Sequence, residues 1–373
     1  MPIDQKVISK LIKDLNSFTP VGSNHPVAML GSEVEEVKAI PCFTPALAYL
    51  LSIGGWPEGK LIQLSGKEHS GKTSFAIMGL KDCYDYYNGE RAVAYIDLEH
   101  RFNPKWAATL GLNVGDNLIV LQPPDAETAT DMMVTLIKSK QVCAIAFDSI
   151  GAAATKHSMQ QLTDKNDRVG GNAAVMKRNV QTIAPLANLF DVTCFYINQL
   201  RDDLTGYNQI TVPGGRAPKH AMSVHLYLRP GNKEYKYYDK INGVVEQVGN
   251  AIVMKTLKNS YGPAFREGWT DFYNQPCTQL DHVGIDIQKD LARMGILLGV
   301  AKKSGSWFTW KDIKAQGREG FFEALWASGK REEFEAEINV AIREHTEMQE
   351  VTDEDAFFGR PLTDPEEDVE EIG

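Results

Sequence analysis

This chain of 373 residues has few cysteines, no long apolar run and no basic-then-apolar leader. The five cysteines are dispersed without a Cys-x-x-Cys pair, which argues against both a disulfide framework and a zinc site. No apolar run reaches the roughly 18 residues that a membrane helix needs, and the first residues do not resemble a signal peptide. We therefore expect a cytoplasmic protein with no membrane association. The length predicts two domains, or one large domain with small appendages.

An excess of positive charge is also missing, because the formal net charge is −10. The negative charge is concentrated in residues 344–373, where twelve acidic side chains and a single arginine, Arg360, give −11. The rest of the chain therefore carries +1, which leaves nucleic-acid binding open. Pro361 and Pro365 interrupt the acidic segment, whose composition is typical of a disordered tail. Such a tail can be a solubilising appendage or a tethered polyanion that competes with DNA.

A glycine-rich loop is the most informative motif of the chain. Residues 66–73 read Gly-Lys-Glu-His-Ser-Gly-Lys-Thr and match the phosphate-loop pattern G-x-x-x-x-G-K-[ST]. Residues 60–65 predict a short buried strand before the loop, and 74–80 predict the start of a helix after it. Backbone N–H groups and the helix dipole would then point at phosphates, with Lys72 at the β/γ-phosphates and the Thr73 hydroxyl on Mg²⁺. The residues expected to contact the nucleotide here are Gly66, Lys67, Glu68, His69, Ser70, Gly71, Lys72, Thr73 and Ser74.

Helical and strand patterns divide the chain into four parts. Residues 4–18 place apolar side chains at helical spacing, and the short apolar run 27–30 needs a sheet edge on this chain or another. From about residue 37, short apolar strands alternate with helices, which predicts an α/β fold with a parallel sheet buried on both faces. The predicted parts are a helix and strand (1–36), a core (37–283), a small C-terminal α/β domain (284–343) and the acidic tail (344–373).

Within these parts the patterns give approximate element positions. The predicted strands of the core are 61–64, 92–96, 118–121, 142–147, 192–197, 224–228 and 251–257. The predicted helices of the core are 73–87, 104–110, 128–138 and 171–189. The C-terminal domain is predicted to contain helices at 286–294, 321–325 and 333–343 and a strand at 307–310.

Polar side chains follow three of the predicted strands. Asp148 ends the run 142–147, where an acid can orient the Mg²⁺ shell beside a phosphate loop. A carboxylate in Asp97-Leu98-Glu99, after the strand 92–96, could polarise an attacking water. An amide in Asn198-Gln199, after 192–197, could sense a γ-phosphate. The segments 155–171 and 201–216 follow strand ends and lack a core-forming pattern, as functional loops do.

These motifs, in this order and spacing, resemble the RecA family of homologous-recombination proteins over roughly residues 24–343. The motifs that carry the resemblance are Val-Ala-Met-Leu-Gly at 27–31, Gly-Gly-Trp-Pro-Glu-Gly at 54–59, the phosphate loop, Ile-Asp-Leu-Glu-His at 96–100, Asp148-Ser149, Ile-Asn-Gln at 197–199, Gly214-Gly215 and residues 258–265. The resemblance implies a RecA-like P-loop NTPase core with an N-terminal polymerisation arm and a small C-terminal domain. It further implies an ATP-dependent recombinase that forms helical filaments on single-stranded DNA and pairs it with double-stranded DNA.

The resemblance also assigns roles to individual residues. Glu99 looks like the catalytic carboxylate and Gln199 like the γ-phosphate sensor. Lys258 matches a lysine that reaches ATP across the subunit interface. The remaining implied nucleotide contacts are Lys72, Thr73 and Asp148 at phosphate and Mg²⁺, and Asn103 and Trp106 at adenine.

The segments 155–171 and 201–216 resemble the two DNA-binding loops of the family. The implied DNA contacts are Lys156, Lys165, Arg168, Gly170, Gly171, Asn172, Arg201, Gly214, Gly215 and Arg216. The chain departs from the family pattern at Ser260, where a second interface lysine is expected, and at Ala174 and Gln181, where arginines are expected. Single-strand-binding and loader proteins are further implied partners.

Two other functions share this core. A hexameric replicative helicase would need a large N-terminal primase-interacting domain, and the short segment 1–36 argues against it. A regulatory paralogue would bind ATP and a recombinase but hydrolyse poorly. The catalytic set of Lys72, Glu99, Asp148 and Gln199 argues against that second alternative.

Overall fold

The computed structural model describes residues 5–157, 171–202, 210–211, 220–232 and 236–344. Its α-helices are α1 (Gln5–Leu15), α2 (Pro45–Leu51), α3 (Lys72–Tyr86), α4 (Pro104–Thr109), α5 (Ala126–Ser139), α6 (Gly171–Phe190), α7 (Ile287–Leu297), α8 (Arg318–Ala327) and α9 (Arg331–Glu344). Its strands are β1 (Ala39–Pro41), β2 (Gly55–Pro57), β3 (Leu61–Gly66), β4 (Ala92–Asp97), β5 (Leu118–Leu121), β6 (Val142–Asp148), β7 (Thr193–Gln199), β8 (Arg201–Asp202), β9 (Ile210–Thr211), β10 (Val224–Pro230), β11 (Lys236–Ile241), β12 (Val244–Asn259), β13 (Glu267–Tyr273), β14 (Gly284–Ile285), β15 (Lys302–Ser304), β16 (Trp307–Trp310) and β17 (Ile313–Gln316). Among the described residues, no helix is both long and apolar enough to cross a bilayer.

A mostly parallel sheet forms the centre of the molecule. Its strand order is β14-β13-β12-β10-β3-β7-β6-β4-β5, with β11 paired to β12. The strands from β10 to β5 are mutually parallel, and β3 and β6 are buried along almost their whole length. Strands buried on both faces need continuous apolar sequence, which is why short apolar runs indicated them. The α/β class and the mostly parallel sheet are confirmed.

One edge of the sheet differs from the expectation of parallel strands. The strand predicted at 251–257 is the second half of β12, which runs antiparallel to β10 and β13. A tight turn explains the reversal, because Asn242 and Gly243, with φ values of 50° and 89°, connect β11 to β12 as a hairpin. Two successive left-handed residues give the turn whose twist matches that of a two-stranded ribbon.

Helices cover both faces of the sheet and divide the core into two apolar clusters. One cluster joins α2 and α3 to the sheet, and the other joins α5 and α6 to its opposite face. The parallel strands therefore end at one common edge, where the loops after β3, β4, β6 and β7 meet. This edge, called the nucleotide edge below, holds the strand-end residues that the sequence singled out.

The C-terminal unit contains the helices α7, α8 and α9 and the small antiparallel sheet β15-β16-β17, on which α8 packs. Aromatic side chains of this unit, including Phe308, Phe321 and Phe334, belong to the same apolar cluster as α2 and α3. The helices begin and end within a few residues of their predicted bounds.

The N-terminal arm, residues 5–38, packs loosely on the core. None of these residues is buried, and α1 exposes Val7, Leu11 and Leu15. Residues 27–30, predicted to add to a sheet edge, have no strand partner within the described part of the chain. The predicted tail lies almost wholly outside the described residues, and the four-part division of the chain remains a prediction.

Candidate active site

The loop between β3 and α3 has a backbone that only glycine allows at two points. A Cβ on Gly66 would lie 2.2 Å from the carbonyl oxygen of Leu228 and 2.4 Å from Ser70 Oγ. Gly71 has a φ of 88° and directly precedes α3. Within the described residues no side chain caps this helix end, so its first N–H groups remain available to an anion.

Lys72 lies with its ammonium group inside this loop. Its Nζ donates to the carbonyl oxygen of Lys67 at 2.5 Å and to Ser70 Oγ at 3.3 Å. Burial lowers the pKa of Lys72, while the negative charges of Asp148, Glu68 and Glu99 oppose that shift. The ammonium group of Lys72 inside the loop and the uncapped start of α3 fit a phosphate group. The assignment of these residues to a bound triphosphate remains a prediction.

Thr73 and Asp148 meet beside the loop. Thr73 Oγ1 donates to Asp148 Oδ2 at 3.3 Å, and Tyr95 Oη donates to the same oxygen at 2.5 Å. Burial raises the pKa of Asp148 to about 6, although these two hydrogen bonds act in the opposite direction. Hydroxyl and carboxylate oxygens suit Mg²⁺, which usually takes few protein ligands together with phosphate and water. The described residues contain no cluster of three His, Cys, Asp or Glu side chains that could hold a metal without such help.

Glu99 occupies the centre of the nucleotide edge. Its Oε1 accepts hydrogen bonds from Ser149 Oγ at 2.7 Å and from Gln199 Nε2 at 3.0 Å. Its Oε2 lies 3.5 Å from Nη1 of Arg101. The carboxylate is thus oriented from both sides, as a group that positions a water must be.

Asp97, the acid that ends β4, has a structural role instead. Its carboxylate is buried and accepts hydrogen bonds from the backbone N–H groups of Arg101 and Phe102, each at 3.0 Å, and from Gln122 Nε2 at 3.1 Å. Burial raises the pKa of Asp97, but these hydrogen bonds outweigh it and hold the pKa below its usual value. Of the two candidate carboxylates, Glu99 is the one that faces the other site residues.

Asn103 and Trp106, the predicted adenine contacts, lie at the start of α4. Asn103 caps this helix, because its Oδ1 accepts hydrogen bonds from the N–H groups of Lys105 and Trp106 at 3.0 and 3.1 Å. Trp106 Nε1 donates to Ser74 Oγ at 3.1 Å, which places the indole beside the first turn of α3. The cap thus fixes an aromatic ring next to the phosphate loop, and the adenine contacts remain predictions.

Comparison with known proteins decides the family. Residues 7–276 match the family model described as the RecA N-terminal domain. The chain belongs to the RecA family. It is 32% identical to Protein RecA of Porphyromonas gingivalis over 319 residues, which cover 85% of this chain and 87% of that protein. It is 31% identical to Protein RecA of Oceanobacillus iheyensis over 339 residues, which cover 90% of each chain.

Lys258 lies away from the other residues of this RecA-family chain that are predicted to be catalytic. It pairs with His225 of β10, which pairs with Gln63 in the middle of β3, and its Nζ donates to the carbonyl oxygen of His220 at 2.9 Å. Gly66 is the third residue after Gln63 in β3, which is about 10 Å along the strand, and the phosphate loop lies beyond. A single chain therefore does not bring Lys258 to Lys72. Its role across a subunit interface remains a prediction.

The predicted DNA contacts are only partly described. Lys156 is exposed, and its backbone N–H donates to Glu127 Oε2 at 3.1 Å. Gly171 and Asn172 begin α6, and Arg201 lies in β8, which pairs with β9. The contacts outside the described residues are Lys165, Arg168, Gly170, Gly214, Gly215 and Arg216.

Sequence reasoning missed the roles of Tyr95 and Arg101 at this site. Tyr95 lies inside an apolar strand, so its sequence context indicates only a core residue. The parallel register of β4 and β6 brings it to Asp148. Arg101 follows a loop whose path depends on Asp97, and its contact with Glu99 therefore has no signature in the linear sequence.

Proposed function

We propose that the chain is an ATP-dependent DNA recombinase that forms helical filaments on single-stranded DNA and catalyses homologous pairing and strand exchange. The observation that carries the proposal is that one sheet edge of a RecA-family chain brings together Lys72, the Thr73–Asp148 pair and the Glu99–Gln199 pair. The first two features would bind a nucleoside triphosphate with Mg²⁺. The third would make the site hydrolytic.

The chain's own residues divide the work of hydrolysis. Lys72 and the N–H groups at the start of α3 would hold the phosphates, and Thr73 and Asp148 would hold Mg²⁺. The metal, when bound, neutralises charge on the phosphates. Glu99 would orient the attacking water, because Ser149 and Gln199 fix one of its oxygens.

Gln199 offers a connection between nucleotide and DNA. Its amide contacts Glu99, and the next residue, Leu200, donates its N–H to the carbonyl oxygen of Gly66 at 3.2 Å. The segment 201–216, the second proposed DNA loop, follows directly. A change at the terminal phosphate could thus move Gln199 and the loop after it, so that ATP favours the DNA-binding state.

DNA binding would depend on the backbone of the nucleic acid rather than on its bases. Contacts from the segments 155–171 and 201–216 would give affinity without sequence preference, because base pairing itself reads the sequence. Filament assembly would bring Lys258 of one copy to the ATP of the next. Single-strand-binding and loader proteins are further proposed partners.

Two measurements test this function. DNA-stimulated ATP hydrolysis should appear in the full chain, whereas a regulatory paralogue would show little turnover with or without DNA. Electron microscopy with single-stranded DNA and a non-hydrolysable ATP analogue should show helical filaments. Closed rings would favour the helicase alternative. The absence of both filaments and rings would contradict the proposal.

A further inference from the structure

Arg101 is fixed at the nucleotide edge by its own backbone. Its N–H and that of Phe102 donate to the two oxygens of buried Asp97, which is the last residue of β4. These bonds turn the chain back after Glu99, so that residue 101 lies beside residue 99. The position of Arg101 is therefore set by the fold of the loop.

The guanidinium of Arg101 contacts Glu99 while remaining open to solvent. Its Nη1 lies 3.5 Å from Glu99 Oε2, and the side chain is 78% exposed. An exposed ion pair of this kind contributes little to folding stability, because water screens it and ordering the side chains costs entropy. Stability therefore does not explain why an arginine lies here.

The surroundings of Lys72, on the phosphate side of Glu99, are rich in negative charge. Asp148, Glu68 and Glu99 all act on Lys72, which is buried inside the phosphate loop. A terminal phosphate entering between the loop and Glu99 would meet Glu99 as a like charge. Arg101, on the far oxygen of Glu99, is placed to offset that repulsion.

Guanidinium chemistry suits this position. Arginine offers five N–H donors in a planar fork, which matches the oxygens of a phosphate. One donor group is turned to Glu99, and the exposure of the side chain leaves others open. Lys72 and the start of α3 serve the phosphates that a diphosphate also carries. Arg101 lies with Glu99, where the site would respond to a third phosphate.

We propose that Arg101 is a specificity-determining residue that makes the site favour a nucleoside triphosphate over a diphosphate. Its guanidinium serves both Glu99 and the terminal phosphate, and so also positions Glu99. The inference rests on the proposed function, because it takes Lys72 and Thr73 to hold a nucleotide.

Equilibrium binding tests this role without relying on turnover. The affinities of the full chain for a non-hydrolysable ATP analogue and for ADP, both with Mg²⁺ and without DNA, are measured by calorimetry. Arg101→Ala should weaken binding of the analogue about tenfold, the loss expected for a hydrogen bond to a charged group. ADP binding should change less than about twofold, since an exposed charge acts weakly on distant groups.

Two variants sharpen the measurement. Arg101→Lys keeps the charge without the fork and should recover part of the loss for the analogue. Lys105→Ala removes the same charge from a nearby exposed position on α4 and should change neither affinity. Circular dichroism and thermal melting confirm that each variant is folded.

The outcomes separate this inference from the proposed function. Equal losses for the analogue and for ADP would show that Arg101 only supports the loop, and no loss would show an ordinary surface pair. Either result overturns the inference while leaving the proposed function in place. If the unaltered chain binds neither nucleotide, both are overturned.

Discussion

The nucleotide edge and the N-terminal arm represent opposite conditions within one chain. At the nucleotide edge, Glu99 and Asp148 each accept hydrogen bonds from two side chains of the same chain. In the arm, no described residue is buried, and Val7 and Leu11 are 61% and 50% exposed. The polar groups of the first region find their hydrogen-bond partners within one copy of the chain. The second region presents apolar surface that nothing in the described chain covers.

This difference separates what one copy can do from what several copies are needed for. A polar site fixed by internal hydrogen bonds can bind its ligand in an isolated chain. An amphipathic helix that leaves its apolar face in water gains most of its stability when a partner covers that face. We therefore predict that nucleotide binding survives without the arm and that assembly does not.

Deleting residues 1–34 should produce the largest effect. The truncated chain should remain folded and bind ATP, but it should form no filament on single-stranded DNA, because the exposed helix and the run 27–30 are removed. Sedimentation with DNA and a non-hydrolysable ATP analogue checks this. Long DNA-bound assemblies of the truncated chain would contradict the proposed role of the arm.

Point substitutions in α1 provide a finer test of the same prediction. Leu11→Ser with Leu15→Ser removes exposed apolar side chains and should weaken assembly without unfolding the monomer. Lys10→Ser with Asp14→Ser, on polar positions of the same helix, is the matched control and should leave assembly unchanged. Equal effects of the two pairs would mean that the helix acts through something other than its apolar face.

Glu99→Gln should act only on the nucleotide edge. Removing the charge that orients the water should lower ATP turnover about 100-fold or more, while ATP and DNA binding persist. Lys72→Ala should instead weaken ATP binding itself. Steady-state hydrolysis and nucleotide binding measure the two effects. The control is Glu90→Gln, an exposed acid before β4 at the other end of the strand, which should hydrolyse ATP normally. Normal turnover by Glu99→Gln would refute the catalytic assignment.

The two regions also differ in how far the sequence predicts them. The phosphate loop and the acids at strand ends have fixed spacing because a strand, a tight turn and a helix must succeed one another. The pairings of Tyr95 with Asp148 and of Arg101 with Glu99 depend on strand register and on a loop path, which local patterns do not encode. Likewise, the sequence indicated strand 251–257 but not its antiparallel direction, since direction follows from the hairpin turn at Asn242–Gly243. For the arm, helical periodicity predicted the apolar face but not its exposure.

Asp290 shows that internal polar contacts hold the C-terminal unit, as they hold the nucleotide edge and unlike the loosely packed arm. Its carboxylate is fully buried on α7, accepts a hydrogen bond from Thr270 Oγ1 at 2.8 Å and another from Thr44, and lies 3.3 Å from Arg293 Nη1. Burial raises its pKa to about 6, although Arg293 lowers it. It therefore joins the C-terminal unit to α2 and β13 as an internal polar contact.

The pH dependence of stability follows from this shift. Because the folded chain holds the proton more tightly than the unfolded chain, the stabilisation is complete below the unfolded pKa and is lost as pH rises through about 6. Between pH values of about 4 and about 6, this group alone should lower the free energy of unfolding by about 3 kcal/mol. Asp290→Asn should flatten the slope, as urea unfolding at a series of pH values would show. An unchanged slope would mean that the contact of Asp290 with α2 and β13 does not set the pH dependence of stability.

The smallest predicted effect concerns the contact between the arm and the core. The arm is tied to the end of α6 by polar contacts: His25 Nε2 lies 2.7 Å from Asp191 Oδ1, and Asn24 Nδ2 donates to Asp191 Oδ2 at 2.7 Å. Asp191 has a φ of 52°, a conformation that glycine adopts freely, so Asp191→Gly removes the carboxylate without straining the backbone. Part-exposed contacts of this kind contribute about 1 kcal/mol, which corresponds to about fivefold more frequent opening of the arm.

Limited proteolysis near residues 20–26 should therefore accelerate by that factor, while ATP binding at the far end of the sheet stays unchanged. Asn24→Ala, which removes one of the two contacts, should show a smaller acceleration of the same sign. Asp14→Gly is no substitute for it, because glycine would weaken the exposed helix. If cleavage does not accelerate, the arm is held by contacts other than those of Asp191; if ATP binding weakens as well, the two regions are coupled and the separation between them is wrong.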